Sequence, residues 1–301
     1  MARFGFTTFG DPNVFHRLPA DPPTPKAGQV QLRVLAAGLN PYDASLRRGE
    51  QAAVRPLKFP IVPGTDVVGT ITALGADVTG FALGDVVLNY RPIGGYSEFV
   101  TASVGKLVAK PASLAVATAA GLPQVSVAAV TILRELALPA GATVAVAGAS
   151  GGVGAALVQL ALAAKLRVLA LASPNNLDYL HALGATAVAD YAHAAAFAGQ
   201  ADAAVNAVAG GADHGAAATT LKLGGHLITT GSAAAPAPRA DIQSTALTHL
   251  DAFAPAMTAA LAARVTLPII ARLPFSTAGV IAGHELLETH HAPGKIVLVA
   301  E

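Results

Sequence analysis

Polar and apolar positions alternate from residue 29 to 34, Gln-Val-Gln-Leu-Arg-Val, the two-residue period of a half-buried strand. Short β-favouring runs follow at 66–72, 85–88 and 96–100. Turn signals separate them: Pro63-Gly64, Gly75, Gly80, Gly84 and Gly94-Gly95. Short strands at this spacing predict an antiparallel barrel or sandwich. From about Leu122 the texture changes. Strand-like runs at 143–147, 167–171, 186–188, 201–205 and 226–230 now alternate with helix-like segments at 153–164, 175–183 and 213–221. That alternation predicts a parallel sheet with helices on both faces, so the fold class is α/β. A last strand is expected at 295–299. It should fold back onto the first domain, because a lone terminal strand needs a sheet to join.

Composition narrows the chemistry. The chain has 301 residues and no cysteine, which removes disulfides, thiolate zinc sites, iron–sulfur clusters and cysteine nucleophiles. This fits a reducing, cytoplasmic setting. The start shows no cationic region followed by an apolar run, so no secretory signal is expected. A formal net charge of +1 gives no argument for nucleic acid or an anionic membrane surface. Hydrophobic content is 53 % against 12 % charged, yet the long apolar stretches are interrupted by Gly121-Leu122-Pro123, by Pro139 and by a knot of glycines. Such breaks are hard to carry in lipid, and much of the apolar count is alanine. No membrane partner is expected.

The glycine knot lies at Gly148-Ala149-Ser150-Gly151-Gly152-Val153-Gly154, after a strand-like run and before a helical one. A dinucleotide fold places its phosphate-binding turn there. The turn must be tight, its backbone must approach a pyrophosphate, and the helix must pack closely on the strand. A Cβ obstructs each of these. The pattern is A-x-G-x-x-G, with Ala149 at the first glycine position and Gly148 upstream; the alternative is a ligand-free βα turn. No Lys-Ser or Lys-Thr follows, which excludes a Walker loop, and Tyr-x-x-x-Lys of short-chain dehydrogenases is missing. After the second strand, Ser173-Pro174-Asn175-Asn176 carries no acid to bond a ribose 2′-hydroxyl, so NADPH is favoured over NADH. Ser173 and Asn175 can equally cap the next helix.

Five segments in this order resemble the medium-chain dehydrogenase/reductase superfamily: 36–43 (AAGLNPYD), 63–69 (PGTDVVG), 95–100 (GYSEFV), the glycine knot at 148–154, and 293–298 (PGKIVL). The chain is most similar to the zinc-free quinone oxidoreductases, the zeta-crystallin-like branch. The resemblance implies a GroES-like β-barrel catalytic domain at 1–121 and 261–301 and a Rossmann doubly wound domain at 122–260. It further implies a cofactor in the interdomain cleft and a homodimer. Zinc-dependent members use a cysteine in the first motif and a histidine in the second; this chain has Asn40-Pro41 and Thr65 there. No zinc is therefore expected. His290-His291 reads as a solvated pair.

The implied activity is metal-free, NADPH-dependent reduction of a quinone or an activated C=C bond (an enone) by hydride transfer, with a donor for the charge developing on oxygen. The resemblance makes Asn40, Tyr42 and Asp43 the catalytic candidates, and Tyr42 and Tyr90 the substrate contacts. Cofactor contacts are expected from Asn40, Asp43, Ser150, Gly151, Gly152, Val153, Ser173, Asn176, Tyr191, Asn206, Gly231 and Ser232. A buried structural role is the alternative for Tyr42, a turn or helix cap for Asp43, and loop structure for Asn206. Gly224-Gly225 reads as a turn between helix and strand. The competing functions are a zinc-free alcohol or aldehyde reductase and an NADP(H)-binding, crystallin-like or sensing protein with little turnover.

Overall fold

The computed structural model describes residues 1–53, 56–91, 93–231, 239–289 and 293–300. Its strands and helices, in chain order, are β1 (Ala2–Gly5), β2 (His16–Pro19), β3 (Gln29–Gly38), α1 (Pro41–Arg47), β4 (Asp66–Leu74), β5 (Val86–Tyr90), β6 (Phe99–Ser103), β7 (Leu107–Ala109), α2 (Val116–Ala120) and α3 (Pro123–Leu136). Then come β8 (Thr143–Ala147), α4 (Gly152–Ala163), β9 (Arg167–Ala172), α5 (Leu177–Ala182), β10 (Ala187–Asp190), β11 (Ala201–Asn206), α6 (Ala216–Thr219), β12 (Leu221–Thr229), β13 (Gln243–Ala246), α7 (Phe253–Ala262), β14 (Ile269–Pro274), α8 (Thr277–Thr289) and β15 (Lys295–Val299). They form two compact units. One comprises Met1–Gln124, Pro268–His290 and Lys295–Glu301; the other comprises Val125–Leu267 and His291–Gly294.

The first unit is built on a seven-stranded sheet, β14-β15-β3-β4-β5-β7, with β6 also paired to β3. All its pairings are antiparallel except β14 with β15. Alternation along β3 buries Val30, Leu32 and Val34 on one face against Val67, Ile71, Val87, Val100 and Leu107. Each fully buried aliphatic side chain of this kind contributes about 1.5–3 kcal/mol. A second cluster joins Phe4, Phe6, Phe15, Leu39, Leu46 and Tyr96 to Val280 of α8 and Ile296 and Leu298 of β15. The terminal strand thus returns to the first unit, pairing with β3 at residues 36–38.

The second unit holds a six-stranded sheet in the order β10-β9-β8-β11-β12-β13, every pair parallel. Counted from β8, this is the 3-2-1-4-5-6 order of a Rossmann fold, which reverses direction beside β8. Residues 144–147 of β8 are fully buried, as a central parallel strand covered on both faces requires. Ala155, Ala156 and Ala161 of α4 are fully buried as well. The high apolar content is therefore an alanine-rich core. Among the described residues no helix is long and apolar enough to cross a membrane.

Three expectations need correction. The strand expected at 96–100 begins at Phe99, and Tyr96 is instead a fully buried loop side chain. The helix expected at 213–221 shrinks to α6, because His214 and Gly215 before it both have positive φ and β12 begins at Leu221. Gly224-Gly225 is not a turn ahead of a strand but lies within β12. Gly224 has φ +72°, and between Leu221 and His226 the register against β11 shifts.

Candidate functional site

Two groups of polar or glycine positions stand out, one in each unit. In the second unit the turn after β8 divides its glycines by task. Gly148 has φ +74°, and a Cβ there would lie 2.8 Å from the peptide joining Ala207 and Val208. A Cβ on Gly154 would lie 2.1 Å from the Gly148 carbonyl oxygen, so α4 packs on the turn at a distance only glycine permits. Gly151 differs. It caps α4 with φ −73° and is exposed, and a Cβ there would touch nothing closer than 3.4 Å. Nothing in the fold itself requires glycine at 151. The position borders open space at the start of a twelve-residue helix, whose first N–H groups and positive dipole end favour an anion.

Other expected residues converge on this turn. Asn176, buried after β9, donates Nδ2 to Ser150 Oγ at 3.0 Å. The Gly148 N–H reaches the Tyr191 hydroxyl, whose pKa is nonetheless raised because burial outweighs that bond. Gly152 and Val153 open α4. Ser173 is exposed at the end of β9, and its carbonyl accepts the Asn176 N–H. Asn206 bonds locally, accepting from Val208 N–H and donating to Gly211 O, both at 3.0 Å. Gly231 follows β12 in a bend, and Ser232 lies outside the described residues, as do His290 and His291.

In the first unit, Asn40 and Asp43 sit at the start of α1. Asn40 is extended, Pro41 supplies the first helical residue, and the Asp43 carboxylate accepts the Asn40 N–H at 3.0 Å. Its other oxygen accepts the Gly64 N–H at 2.9 Å. Gly64 has φ +100°, so the Pro63-Gly64 turn bends its peptide toward α1. Both Asn40 and Asp43 are buried, at 2 % and 0 % exposure. They belong to the interior.

Those neighbours form a closed network. Asn40 Nδ2 donates to Thr65 Oγ1 at 2.9 Å and to Asp66 Oδ2 at 3.0 Å. Its Oδ1 accepts from the Lys295 ammonium, which also donates to the Leu39 carbonyl at 2.9 Å. Lys295 and Asp66 pair at 3.7 Å with 5 % and 0 % side-chain exposure. Gln124 closes the ring: its N–H donates to Asp66 Oδ1 at 2.8 Å, and its Oε1 accepts from Thr65 Oγ1 at 2.9 Å. Burial pushes Asp66 up and Lys295 down, and each opposes the other's shift. Burial raises Asp43 to about 7 against its two backbone donors. Tyr90, half-buried, is raised to about 12 by burial and then by Asp66, Tyr42 and Asp43, which places all four side chains in one electrostatic neighbourhood.

Thr65, Asp66, Tyr96 and Lys295 lie within the motifs but carry no role in the sequence reading, and Gln124 and His284 carry no sequence signal at all. One local signal exists for two of them. Asp66 and Lys295 each head an apolar strand, Val67-Val68 and Ile296-Val297-Leu298, where a charge inside must be paired. Among the described residues no three His, Asp or Glu side chains gather as a metal site.

Comparison with known proteins agrees with this anatomy. Residues 26–112 match the alcohol dehydrogenase GroES-like domain. The chain is 39 % identical over 181 residues to a chloroplast envelope quinone oxidoreductase homolog from Arabidopsis thaliana, covering 56 % of this chain and 54 % of the relative. It is 35 % identical over 205 residues to a 2-methylene-furan-3-one reductase from Solanum lycopersicum, covering 64 % and 52 %. The chain thus spans about half the length of the curated relatives it matches. The solved quinone oxidoreductase from Coxiella burnetii superposes with a TM-score of 0.88 at 26 % identity, over 100 % of this chain and 99 % of that one. In these comparisons the chain is similar to the quinone oxidoreductase branch of the medium-chain dehydrogenase/reductase superfamily.

Proposed function

We propose that the chain is an NADPH-dependent reductase of quinones or enones that works without a metal. The observation that carries this reading is Gly151: a glycine the fold does not need, open to space, where α4 begins at the strand-order reversal of a Rossmann sheet. The free N–H groups at the start of α4 and the Ser150 backbone would hold the pyrophosphate. Ser173 would meet the adenosine ribose, where the lack of a carboxylate favours a 2′-phosphate. When bound, the nicotinamide supplies a hydride.

In the first unit, Tyr42 and Tyr90 carry hydroxyls at the edge of the buried network and are the donors suited to a carbonyl oxygen gaining charge. Asp43 and Asn40 act behind them, fixing α1 and its first turn. A zinc ion does not suit this donor set. At the positions where zinc-dependent members carry ligands stand an amide and a hydroxyl, and the Lys295 ammonium is bonded to that amide. Relatives that carry the names quinone oxidoreductase and 2-methylene-furan-3-one reductase support the choice of acceptor class.

The test is nucleotide oxidation followed by absorbance with NADPH and NADH, against quinones, enones, alcohols and aldehydes, with and without a chelator. The reading predicts turnover of quinones or enones, NADPH preferred, and no effect of the chelator. Reduction of aldehydes alone, or strong inhibition by the chelator, contradicts it. Nucleotide binding with no turnover of any acceptor would make the chain a binding protein.

A further inference from the structure

Reduction by hydride consumes one proton per turnover, and the buried network has a second arm that reaches toward the surface. Tyr96, fully buried, faces Asp43; burial first, then the Asp43 charge and a side-chain hydrogen bond to it, hold its hydroxyl well above the usual range. On its other side the hydroxyl lies 3.4 Å from His284 Nε2. His284, fully buried on α8, packs against Phe15 with ring centres 4.6 Å apart and meets the Tyr96 ring edge-on. Its Nδ1 is buried and has no partner.

One helical turn further along α8, Glu288 receives Arg47 Nη2 and Arg48 Nη1, both at 2.5 Å. Residues four apart share a helix face, and the Arg47 charge acts on the His284 imidazole. The Arg47 side chain is 1 % exposed, and its Nε and Nη1 have no partner. Three orphaned nitrogens, two guanidinium donors and one imidazole nitrogen, therefore belong to side chains on the packed helices α1 and α8. A surface depression of about 330 Å³ lined by Gly10, Asp11, Pro12, Arg47, Arg48 and Glu288 adjoins them. Buried waters satisfy such sets, typically with about three hydrogen bonds each.

We infer that a water held by Arg47 Nε–H, Arg47 Nη1–H and His284 Nδ1 completes a proton path from this depression through His284 and Tyr96 to Asp43. The balance is one proton and no electrons. Water gives a proton to Nδ1, the Nε2–H proton passes to the Tyr96 oxygen, and the Tyr96 hydroxyl proton passes to the Asp43 carboxylate. The hydroxide left behind takes a proton from solvent at the depression, and the imidazole, left as Nδ1–H by the transfer, regains its resting Nε2–H form by proton exchange before the next turnover. The imidazole stays neutral at rest, because burial, then Arg47 and Arg48, lower its pKa to about 3. Among the described residues the charged or titratable groups near it are Tyr96, Arg47, Arg48 and Glu288, with Asp11 at the head of the turn packed on α8. His284 and Tyr96 are positioning residues that act through Asp43. The use of the proton rests on the reductase reading; the path itself does not.

Two measurements decide. In ¹⁵N NMR of the imidazole groups, the path requires His284 as the Nε2–H tautomer, neutral from pH 8 down to about 4; an Nδ1–H tautomer overturns it. In turnover, Tyr96→Phe should lower kcat at least tenfold, with KM for nucleotide within twofold and a larger solvent deuterium effect on kcat. His284→Ala should behave alike and be partly rescued by added imidazole. Unchanged kcat and solvent effect in Tyr96→Phe refute the path. Should the wild type turn over no acceptor, the reductase reading fails, while the tautomer still decides the path.

Discussion

The glycine turn after β8 and the buried network at the head of α1 solve opposite problems. The turn works by what it lacks. Gly148, Gly151 and Gly154 keep side chains away, and the polar groups it offers are backbone N–H groups at a helix start. The network works by what it encloses. Asn40, Asp43, Thr65, Asp66 and Lys295 are all nearly inaccessible to solvent, and each polar side chain there has a hydrogen-bond partner in a side chain or the backbone. At Gly151 a turn of the first kind tolerates substitution until something must bind to it. A network of the second kind carries stability at risk, because a charge left without its partner stays buried.

The largest effect expected from this contrast is at Lys295. Lys295→Met leaves Asp66 buried without its cation and should cost about 3–5 kcal/mol in denaturant unfolding. Adding Asp66→Asn should recover part of that loss. If the double variant is no more stable than Lys295→Met, the pair is not coupled as described.

Asp43 gives the next effect, and it has a sign. Its carboxyl is raised to about 7 when folded, so between about pH 4 and 7 the folded protein keeps a proton that the unfolded chain has released. Stability relative to Asp43→Asn should fall as pH rises through that window, by on the order of a few kcal/mol, and level off above it. Taking the difference from the variant cancels His284, which acts in the other direction: its neutral form stabilises above about pH 6.5 and that contribution is lost as pH falls toward about 3. A flat difference curve would mean that Asp43 is ionised and well solvated.

Gly154→Ala comes third. Its methyl would press on the Gly148 carbonyl, and overpacking of this kind costs about 1–3 kcal/mol. Unchanged thermal unfolding would show that α4 can retreat from the turn.

The same contrast explains what the sequence made readable. The turn is seven consecutive residues between a strand and a helix, so its determinants are local and stand together as a motif. Lys295 and Asn40 meet across 255 positions, and Tyr96 meets His284 across 188. No periodicity reports such encounters; only the odd placement of Asp66 and Lys295 at the heads of apolar strands hints at them. Resemblance points to Asn40 and Asp43, but their burial becomes visible only with β4 and β15 in place. Gly224 reads as a turn because a positive φ within a strand and one at a turn leave the same letter.

Gly151 carries the most weight, and the smallest of these substitutions tests its role most directly. Titration of NADPH into the wild type and Gly151→Ala, with unfolding measured on both, separates binding from folding. A pyrophosphate seated on this turn predicts equal stability and an affinity at least tenfold weaker in the variant, a difference of about 1.4 kcal/mol. Equal affinity in the two, or no binding of NADPH or NADH by the wild type, would contradict it.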